Sequence, residues 1–360
     1  MSERIAVAMS GGVDSSVAAA LLRRAGHSLI GVTLKLQECQ DAHGSKSCCG
    51  VDGITRAREV AGTLGFPHYV LDCVKEFERL VLEPAWRDYA GGRTPSPCLL
   101  CNEHVKFGLL LDWAKRLGIF RVATGHYARL AKDEHGRPML LRGRDTGKDQ
   151  SYFLAGLSLA QLERAAFPVG HLCKPEVRDL AKSFGLPTAE TPESQDACLV
   201  APGESFSEML RLRFAAAAKP GVIVDESGVF VGPHEGIHVF TIGQRKGLPA
   251  GATARRWVKA ISPETGQVTV TSDPDELVST AVVVRDVNWL CGELPRVPTP
   301  CSVQVRYRHA SEPATVCARE GGLDVVLDKP VRAVTPGQAA VFYDGERTLG
   351  RGWIAMSRPY

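Results

Sequence analysis

The sequence predicts an α/β protein: a mostly parallel sheet covered by helices, then a small central domain and a C-terminal antiparallel β-barrel. Two observations support this prediction. Within the first 200 residues, short β-rich runs alternate with helical patterns, which is typical of parallel sheets covered by helices. After about Pro202, alternating apolar and polar positions separated by turns are typical of a small barrel. We expect domains at residues 1–203, 204–275 and 276–360.

The N-terminal elements follow one another in a regular order. Apolar runs at 4–9, 27–36, 67–74 and 120–128 predict buried strands, the last one followed by a turn. Helices are predicted between them, and each ends at a glycine, which commonly terminates helices. These helices cover residues 15–26, 54–65 and 102–118, with Asn102 as the expected N-cap of the third.

The C-terminal half has a different pattern. One short helix is expected at 204–214, followed by irregular glycine-rich sequence to about residue 255. Five later runs alternate apolar and polar residues as antiparallel strands do. They cover residues 281–290, 301–309, 314–320, 323–328 and 339–345.

The composition is that of an ordinary globular protein, with 44% apolar and 23% charged residues in 360. The apolar run near the N-terminus is too short for a signal peptide or a membrane span, and no Arg-rich, Ser-rich transit peptide is evident. We therefore expect a cytoplasmic protein without a membrane partner. Since cytosolic thiols stay reduced, the eleven cysteines do not suggest a disulfide framework.

Charge is unevenly distributed, although the net charge is only +3. Residues 241–260 carry five Lys or Arg and no acid, and the run "QVRYRHA" from Gln304 places two arginines and a histidine beside a tyrosine. Such stretches are able to follow a nucleic-acid phosphate backbone. They also fit a solvated face, and charge alone favours that second interpretation.

A glycine-rich stretch, "AMSGGVDSS" at 8–16, lies between a predicted strand and a predicted helix. Two glycines allow a tight turn, and the helix that follows offers N–H donors and a positive dipole end to phosphates. Serine hydroxyls add further contacts, and Asp14 is placed to reach a metal ion that accompanies the phosphates. The lysine of a Walker A loop is absent.

The stretch "TPSPCLLCN" at 94–102 carries two cysteines braced by two prolines. Prolines fix φ and favour extended geometry in the preceding residues. Cys101 is expected just before a helix, where the dipole favours a thiolate. A closed zinc site needs four ligands, which one C-x-x-C pair supplies poorly. A reactive or cluster-binding role is thus favoured over zinc or inert packing, while Cys198 alone is neutral.

The loop "SGGVDSS" resembles the pyrophosphate-binding loop of the N-type ATP pyrophosphatases. The chain as a whole is similar to the tRNA-specific 2-thiouridylase family through six blocks in the same order. The blocks are "AMSGGVDSS", "GRTPSPCLLCNEHVKF", "ATGHYAR", "KDQSYFL" with "FPVG", "TIGQRKGL" and "VTPGQAAVFY".

The resemblance implies a doubly wound ATP-binding domain, a central domain and a tRNA-contacting β-barrel. It implies ATP with Mg²⁺, adenylation of the C2 oxygen of the wobble uridine in tRNAs for Lys, Glu and Gln, and sulfur transfer to C2. A cysteine desulfurase or a sulfur-relay protein would donate the sulfur. Adenylation is needed because the uracil C2 oxygen is a poor leaving group.

The resemblance also implies roles for individual residues. Cys198 would carry a persulfide and Cys101 would be the partner nucleophile, forming a transient disulfide with it. The nucleotide would contact Ala8, Met9, Ser10, Gly11, Gly12, Val13, Asp14, Ser15, Leu34 and Gly125. The target base would meet Ser96, Pro97 and Cys98. The tRNA would contact His126, Lys148, Asp149, Gln150, Arg306, Tyr307 and Gln338.

Departures from the family pattern leave the sulfur chemistry open. Some members carry Asp at the Cys98 position, so the cysteine here permits a 4Fe–4S cluster on Cys98, Cys101 and Cys198 in place of persulfide transfer. The usual "TPNP", "ICF" and a Met at the Leu34 position are also replaced. Two other functions are disfavoured: a small-molecule amidating ATP pyrophosphatase does not need three placed cysteines, and a non-catalytic RNA-binding protein with structural zinc does not need an intact "SGGVDSS" loop.

Overall fold

The computed structural model describes residues 2–38, 51–192, 204–249 and 255–359. The chain divides into two compact units, whose described residues are treated separately. The first unit comprises Met1–Val81, Cys98–Gly203 and Glu346–Thr348. The second unit comprises Leu82–Pro97, Glu204–Gly345 and Leu349–Tyr360.

The first unit is built on a five-stranded parallel sheet, which confirms the predicted parallel sheet and adds one strand, Ala165–Ala166, that the sequence analysis did not predict. Its strand order is β3-β2-β1-β4-β7. The strands β2 and β3 are therefore added on one side of β1, and β4 and β7 are added on the other side. In such sheets ligands bind beyond the carboxyl ends of the strands where the order reverses. Here that point lies between β1 and β4. The strands are β1 (Arg4–Ala8), β2 (Ser28–Lys35), β3 (His68–Asp72), β4 (Arg121–Ala123) and β7 (Ala165–Ala166).

Helices cover this sheet because their small apolar residues pack against its Val and Ile side chains. Ala18, Ala19 and Ala20 of α1 are fully buried, and Val177 and Ala181 of α9 pack in the same core. The helices are α1 (Val13–Arg24), α2 (Val51–Leu64), α3 (Val74–Phe77), α5 (Pro97–Leu100), α6 (Leu110–Arg116), α7 (Ser151–Leu154), α8 (Leu159–Glu163) and α9 (Lys174–Ser183), with a π-helical turn at Glu78–Leu82.

The helix predicted at 102–118 is wrong in its start and in part of its geometry. The helix begins at Pro97, continues as a π-helix over Cys101–Leu109, and returns to α geometry at Leu110–Arg116. Proline is well suited to the first turn of a helix because its missing N–H is not needed there. Asn102 is therefore an interior residue and not the N-cap.

An antiparallel hairpin completes the first unit. It consists of β5 (Ala128–Lys132) and β6 (Pro138–Arg142). Arg347 pairs with Leu141 at its edge.

The second unit contains a four-stranded sheet and a closed six-stranded antiparallel barrel. The sheet has the order β10-β11-β8-β9, and two of its strands lie where irregular sequence was expected. That prediction is wrong because glycine and proline are uncommon in strands, and the strand Phe230–His234 contains Gly232 and Pro233. It lies at the edge of the sheet, where proline is tolerated. The strands are β8 (Gly221–Val224), β9 (Phe230–His234), β10 (Trp257–Ser262) and β11 (Gln267–Thr271).

The predicted barrel is confirmed, and its order is β12-β15-β14-β13-β16-β17, with β17 pairing back to β12. Its core is dominated by valine. The strand predicted at 301–309 ends earlier, at Gln304, because a turn follows. The strands are β12 (Val278–Trp289), β13 (Thr299–Gln304), β14 (Glu312–Arg319), β15 (Gly322–Arg332), β16 (Ala339–Asp344) and β17 (Arg347–Pro359).

Two helices and two 3₁₀ turns complete the second unit: α4 (Glu83–Ala90), α10 (Phe206–Arg213), Ile237–Val239 and Pro274–Leu277. Across the described ranges of both units, no helix has the length and apolarity needed to cross a membrane.

Candidate functional site

The glycine-rich loop leaves the carboxyl end of β1 and enters α1 at the reversal point of the sheet. The helix begins at Val13, two residues earlier than predicted, and Gly12 occupies the N-cap position, where no side chain caps the helix. Gly11 has a φ of +76°, a conformation that favours glycine. Ser10 is exposed in this turn. The loop is thus a bend of backbone that leads into an uncapped helix N-terminus, which suits an anionic ligand.

The serine hydroxyls shape the loop. Ser15 Oγ and Ser16 Oγ both donate to the Gly12 carbonyl oxygen, at 3.0 and 2.9 Å. The Ser10 amide donates to Ser15 Oγ at 3.3 Å. These bonds hold the turn without a ligand, so the hydroxyls act first as supports of the loop geometry.

A lysine from far along the chain anchors the loop, and the sequence analysis missed it. Lys174 Nζ lies 2.6 and 2.8 Å from the two carboxylate oxygens of Asp14, and Tyr127 Oη donates to Asp14 Oδ1 at 2.7 Å. Lys174 is only 9% exposed and its ammonium also lies over the Tyr127 ring. The loop that lacks a Walker lysine therefore has an ammonium beside it.

One sequence signal could have drawn attention to Lys174. It is the first residue of α9, whose N-terminal dipole disfavours a cation. A basic residue at such a position suggests that something else compensates its charge. The partner here is Asp14, 160 residues away.

Gly125 lies against the first turn of α1, where only a glycine fits. A Cβ added there would be 2.6 Å from both the Asp14 carbonyl carbon and the Ser15 nitrogen. Gly125 follows β4 and so lies, with the loop, at the reversal point of the sheet. Its contact with the nucleotide stays a prediction.

The remaining loop neighbours come from β2 and α2. Thr33 Oγ1 donates to the Met9 carbonyl oxygen at 2.7 Å, and Leu34, 8% exposed, is the next residue along β2. Arg56 Nε donates to the Gly11 carbonyl oxygen at 3.1 Å. These contacts fix the backbone from Met9 to Gly11, while the adenine contact of Leu34 stays a prediction.

Both described cysteines of the candidate site lie in one continuous helix. Cys98 is half-buried in α5, and Cys101, 9% exposed, is the first residue of the π-helix. The expectation that Cys101 precedes the helix, with its thiolate favoured by orphan N–H groups, is wrong because the helix starts at Pro97. Cys198 lies outside the described residues.

The π-helix is held by amide side chains. Gln161 Nε2 donates to the carbonyl oxygens of Glu103 and Phe107, at 2.8 and 2.7 Å. Asn102 Nδ2 donates to the Phe153 carbonyl oxygen at 3.0 Å. π-helical segments are rare and are found frequently at functional sites. Here the segment begins at Cys101.

The described residues do not complete a ligand set for the expected cluster. Cys98 and Cys101 would supply two thiolates, and within the described ranges no group of three His, Cys, Asp or Glu is arranged to hold a metal. Asp14, the expected Mg²⁺ contact, already accepts three hydrogen bonds of about four that a carboxylate can accept. Both metal roles stay predictions.

His126, expected to contact tRNA, is buried. Its side chain is 8% exposed, packs near the rings of Phe107 and Phe167, and shares a 2.7 Å hydrogen bond with Thr124 Oγ1. Burial, with a smaller effect of Lys106, holds the pKa of His126 well below its usual value. The imidazole is therefore neutral at pH 7, and its tRNA contact stays a prediction.

The residues expected to bind tRNA at 148–150 also support their own loop. Asp149 accepts hydrogen bonds from the Gly143 and Ser151 amides, at 2.9 and 3.0 Å. It also forms an ion pair with Arg142, with 3.1 Å between Nη1 and Oδ2. Gln150 Oε1 accepts from the Tyr127 amide at 3.0 Å. The Lys148 amide donates to the Asp145 carbonyl oxygen at 3.0 Å.

In the second unit, Arg306 and Tyr307 lie in the turn after β13. Arg306 is exposed, Tyr307 is half-buried, and the Arg308 guanidinium lies over the Tyr307 ring at 5.6 Å. Arg308 has a φ of +64°, a strained conformation for a non-glycine residue. The turn thus presents two guanidinium groups and an aromatic ring.

Ser96 and Pro97, which are expected to meet the target base, also lie in the second unit, and Ser96 is 7% exposed. Gln338 is half-buried and its side-chain amide donates to the backbone of this same segment.

Three sequence families match the chain. The tRNA methyl transferase HUP domain matches residues 3–202, the tRNA methyl transferase PRC-barrel domain 212–272, and the aminomethyltransferase beta-barrel domain 279–354.

Curated relatives match over almost the whole length. A protein of Chloroflexus aggregans named tRNA-specific 2-thiouridylase MnmA is 46% identical over 98% of this chain and 98% of its own. Relatives of the same name from Acidothermus cellulolyticus and Solibacter usitatus are 46% and 43% identical, over 99% and 97% of this chain and 98% of each of theirs. The chain belongs to the tRNA-specific 2-thiouridylase family.

Proposed function

We propose that this protein is an ATP-dependent tRNA 2-thiouridylase that converts the wobble uridine of tRNAs for Lys, Glu and Gln to 2-thiouridine. The observation that carries the proposal is full-length similarity to relatives of that name, combined with the uncapped glycine-rich loop beside Lys174. Since its substrate is tRNA, we place the protein in the cytoplasm.

The first step activates the base. The uridine C2 oxygen attacks the α-phosphorus of ATP, and pyrophosphate leaves. The N-terminus of α1 and the ammonium of Lys174 offer positive charge to the phosphates, with Mg²⁺ as the accompanying ion. The adenylated oxygen is then a good leaving group.

The second step transfers sulfur. A persulfide on Cys198, supplied by a desulfurase or a relay protein, attacks C2 through its terminal sulfur, and AMP leaves with the original oxygen. The Cys101 thiolate then attacks Cys198 Sγ, which forms a Cys101–Cys198 disulfide and releases the thiolated base. A cellular dithiol reduces the disulfide before the next cycle.

The decisive assay measures 2-thiouridine in nucleosides digested from unmodified tRNA-Glu after incubation with ATP and a sulfur donor. We expect 2-thiouridine with the unaltered protein and none above background with Cys101→Ser or Cys198→Ser, while both variants still bind ATP. Cys317→Ser, in the barrel, is the control and should remain active. Full activity of either site variant would overturn the proposed roles.

A second measurement separates the two sulfur chemistries. Protein isolated without oxygen is assayed for iron and acid-labile sulfide. We expect neither, with Cys198 able to accept a persulfide. About four of each per chain, lost on Cys98→Ala, would replace the persulfide role by a 4Fe–4S cluster.

A further inference from the structure

The segment that leads to Cys98 is held by one turn of the barrel. The Thr94 amide donates to the Pro336 carbonyl oxygen at 2.9 Å. Gln338 Nε2 donates to the carbonyl oxygens of both Thr94 and Pro95, at 3.0 and 2.8 Å. Three hydrogen bonds therefore join the turn at 335–338 to two consecutive residues that lie up to 244 positions away in the sequence.

Close packing reinforces these bonds. Gly337 has a φ of +90°, and a Cβ added there would be 2.8 Å from the Thr94 carbonyl oxygen and 2.9 Å from Arg93 Cβ. Thr94 Oγ1 also donates to Thr241 Oγ1 at 3.1 Å. The "TIGQ" and "VTPGQ" motifs thus meet on the same backbone segment.

The hydrogen bonds of Gln338 limit what else its side chain can do. A glutamine amide has two N–H donors, and the two carbonyl oxygens of Thr94 and Pro95 match that number. A side chain that read RNA through its amide donors would have to give up these bonds and leave two backbone acceptors without them, which is unfavourable.

The held residues lead directly to Pro97, the first residue of α5. Pro95 and Pro97 each have a fixed φ, so few torsions remain free between the bonded carbonyl of Pro95 and the first turn of α5 at Pro97. The backbone conformation from Thr94 to Pro97 therefore follows from where Thr94 and Pro95 are fixed.

We propose that Gln338 is a positioning residue for the segment from Thr94 to Pro97 and acts on the reaction through the backbone of Thr94 and Pro95. The assignment of Cys98 and Cys101 to the reacting region rests on the proposed function. The hydrogen bonds that carry the inference do not depend on it.

The test compares Gln338→Met with Arg306→Ala in the full-length protein. Methionine keeps the length and the charge of residue 338 but cannot donate, whereas Arg306→Ala removes an exposed cation in the turn expected to contact tRNA. Three quantities are measured: the iodoacetamide alkylation rate of the peptide carrying Cys98 and Cys101 without tRNA, the dissociation constant for tRNA, and the single-turnover thiolation rate.

For Gln338→Met we expect an alkylation rate changed by about 5-fold or more and a thiolation rate reduced about 10-fold, because two hydrogen bonds are lost. Its tRNA affinity should stay within about 2-fold of the unaltered protein, and Arg306→Ala should show the reverse, weaker tRNA binding with unchanged alkylation. Weakened tRNA binding with unchanged alkylation in Gln338→Met would overturn the proposal.

The comparison stays decisive if the variant does not fold and if the unaltered protein makes no 2-thiouridine. If Gln338→Met does not fold, as judged by circular dichroism, Gln338→Ala replaces it, because this variant also removes both donors to Thr94 and Pro95 and leaves their carbonyl oxygens open to water. An alkylation rate changed at unchanged tRNA affinity supports the positioning role, and no change in alkylation overturns it. If the unaltered protein makes no 2-thiouridine, the proposed function fails, but the alkylation comparison still decides the role of Gln338.

Discussion

The glycine-rich loop and the cysteine helix are both held by residues distant in the sequence, but by different forces. The loop is anchored by charge, through the Asp14–Lys174 ion pair. The cysteine helix is anchored by neutral amides, since the side chains of Gln161 and Asn102 both donate to backbone carbonyl oxygens, Gln161 to two of the helix and Asn102 from the helix to Phe153. A charge beside the loop can act on phosphates, whereas amides that bond carbonyl oxygens fix direction. The charged anchor therefore suits a loop that binds anions, and the neutral anchor suits a helix whose direction must be fixed.

The largest effect is expected for Lys174→Met, which tests the charged anchor. Lys174 is largely buried and the Asp14 side chain is 32% exposed, so removing the ammonium leaves this carboxylate with the Tyr127 hydroxyl and the N-terminus of α1 alone, and the free energy of unfolding should fall by about 3 kcal/mol. Urea denaturation measures it. The matched control is Arg144→Met, which removes the half-exposed Arg144–Glu176 pair at the same end of α9 and should cost less than about 1 kcal/mol. Equal losses in the two variants would contradict the distinction between them.

An intermediate effect is expected for Gln161→Leu, which tests the neutral anchor. Two carbonyl oxygens of the π-helix lose a donor, so the free energy of unfolding should fall by about 2 kcal/mol, and amide exchange over 101–109 should accelerate. Ser158→Ala is the control, because it removes the N-cap of α8 but keeps the Gln161 donor, at a cost of about 1 kcal/mol. Exchange over 101–109 that is faster in Ser158→Ala than in Gln161→Leu would contradict the role of Gln161.

The smallest effect concerns pH and His126, whose ring lies between Thr124 and Phe107. Because its folded pKa is well below 6.5, the unfolded chain binds the proton more readily, and the free energy of unfolding should decrease as pH falls below about 6.5. The slope from this group is at most about 1.4 kcal/mol per pH unit.

The variant His126→Gln should make the decrease between pH 7 and pH 5 shallower when unfolding is followed by urea titration at each pH. Part of the slope will remain, because burial also lowers the pKa of His68 and of His234. An unchanged slope would contradict a buried, neutral His126.

The sequence predicted the features that depend on local chemistry. Apolar runs located four of the five strands of the parallel sheet and most barrel strands, but not the two-residue strand β7, and two adjacent glycines located the loop at the end of β1. These predictions succeeded because burial and tight turns leave a signal within a few residues.

The residues that anchor the loop and the segment before the cysteine helix could not be predicted from local sequence patterns. Lys174 and Gln338 act on partners 160 and 244 positions away, and no local pattern reports a pairing at that distance. The apolar spacing of residues 102–118 fits an α-helix as well as a π-helix, so the π-helical segment could not be predicted from the sequence. The start at Pro97 could have been found, since proline favours the first turn of a helix.

The π-helix at Cys101–Leu109 also makes this part of the chain sensitive to length. A π-helix has more residues per turn than an α-helix, so the loss of one residue could be absorbed by a return to α geometry without breaking the helix. The return to α geometry would, however, close the wide turn in which Gln161 bonds the carbonyl oxygens of both Glu103 and Phe107, so this anchor of the helix would be lost. Among descendants of this gene, substitutions within the segment would be tolerated more readily than single-codon insertions or deletions.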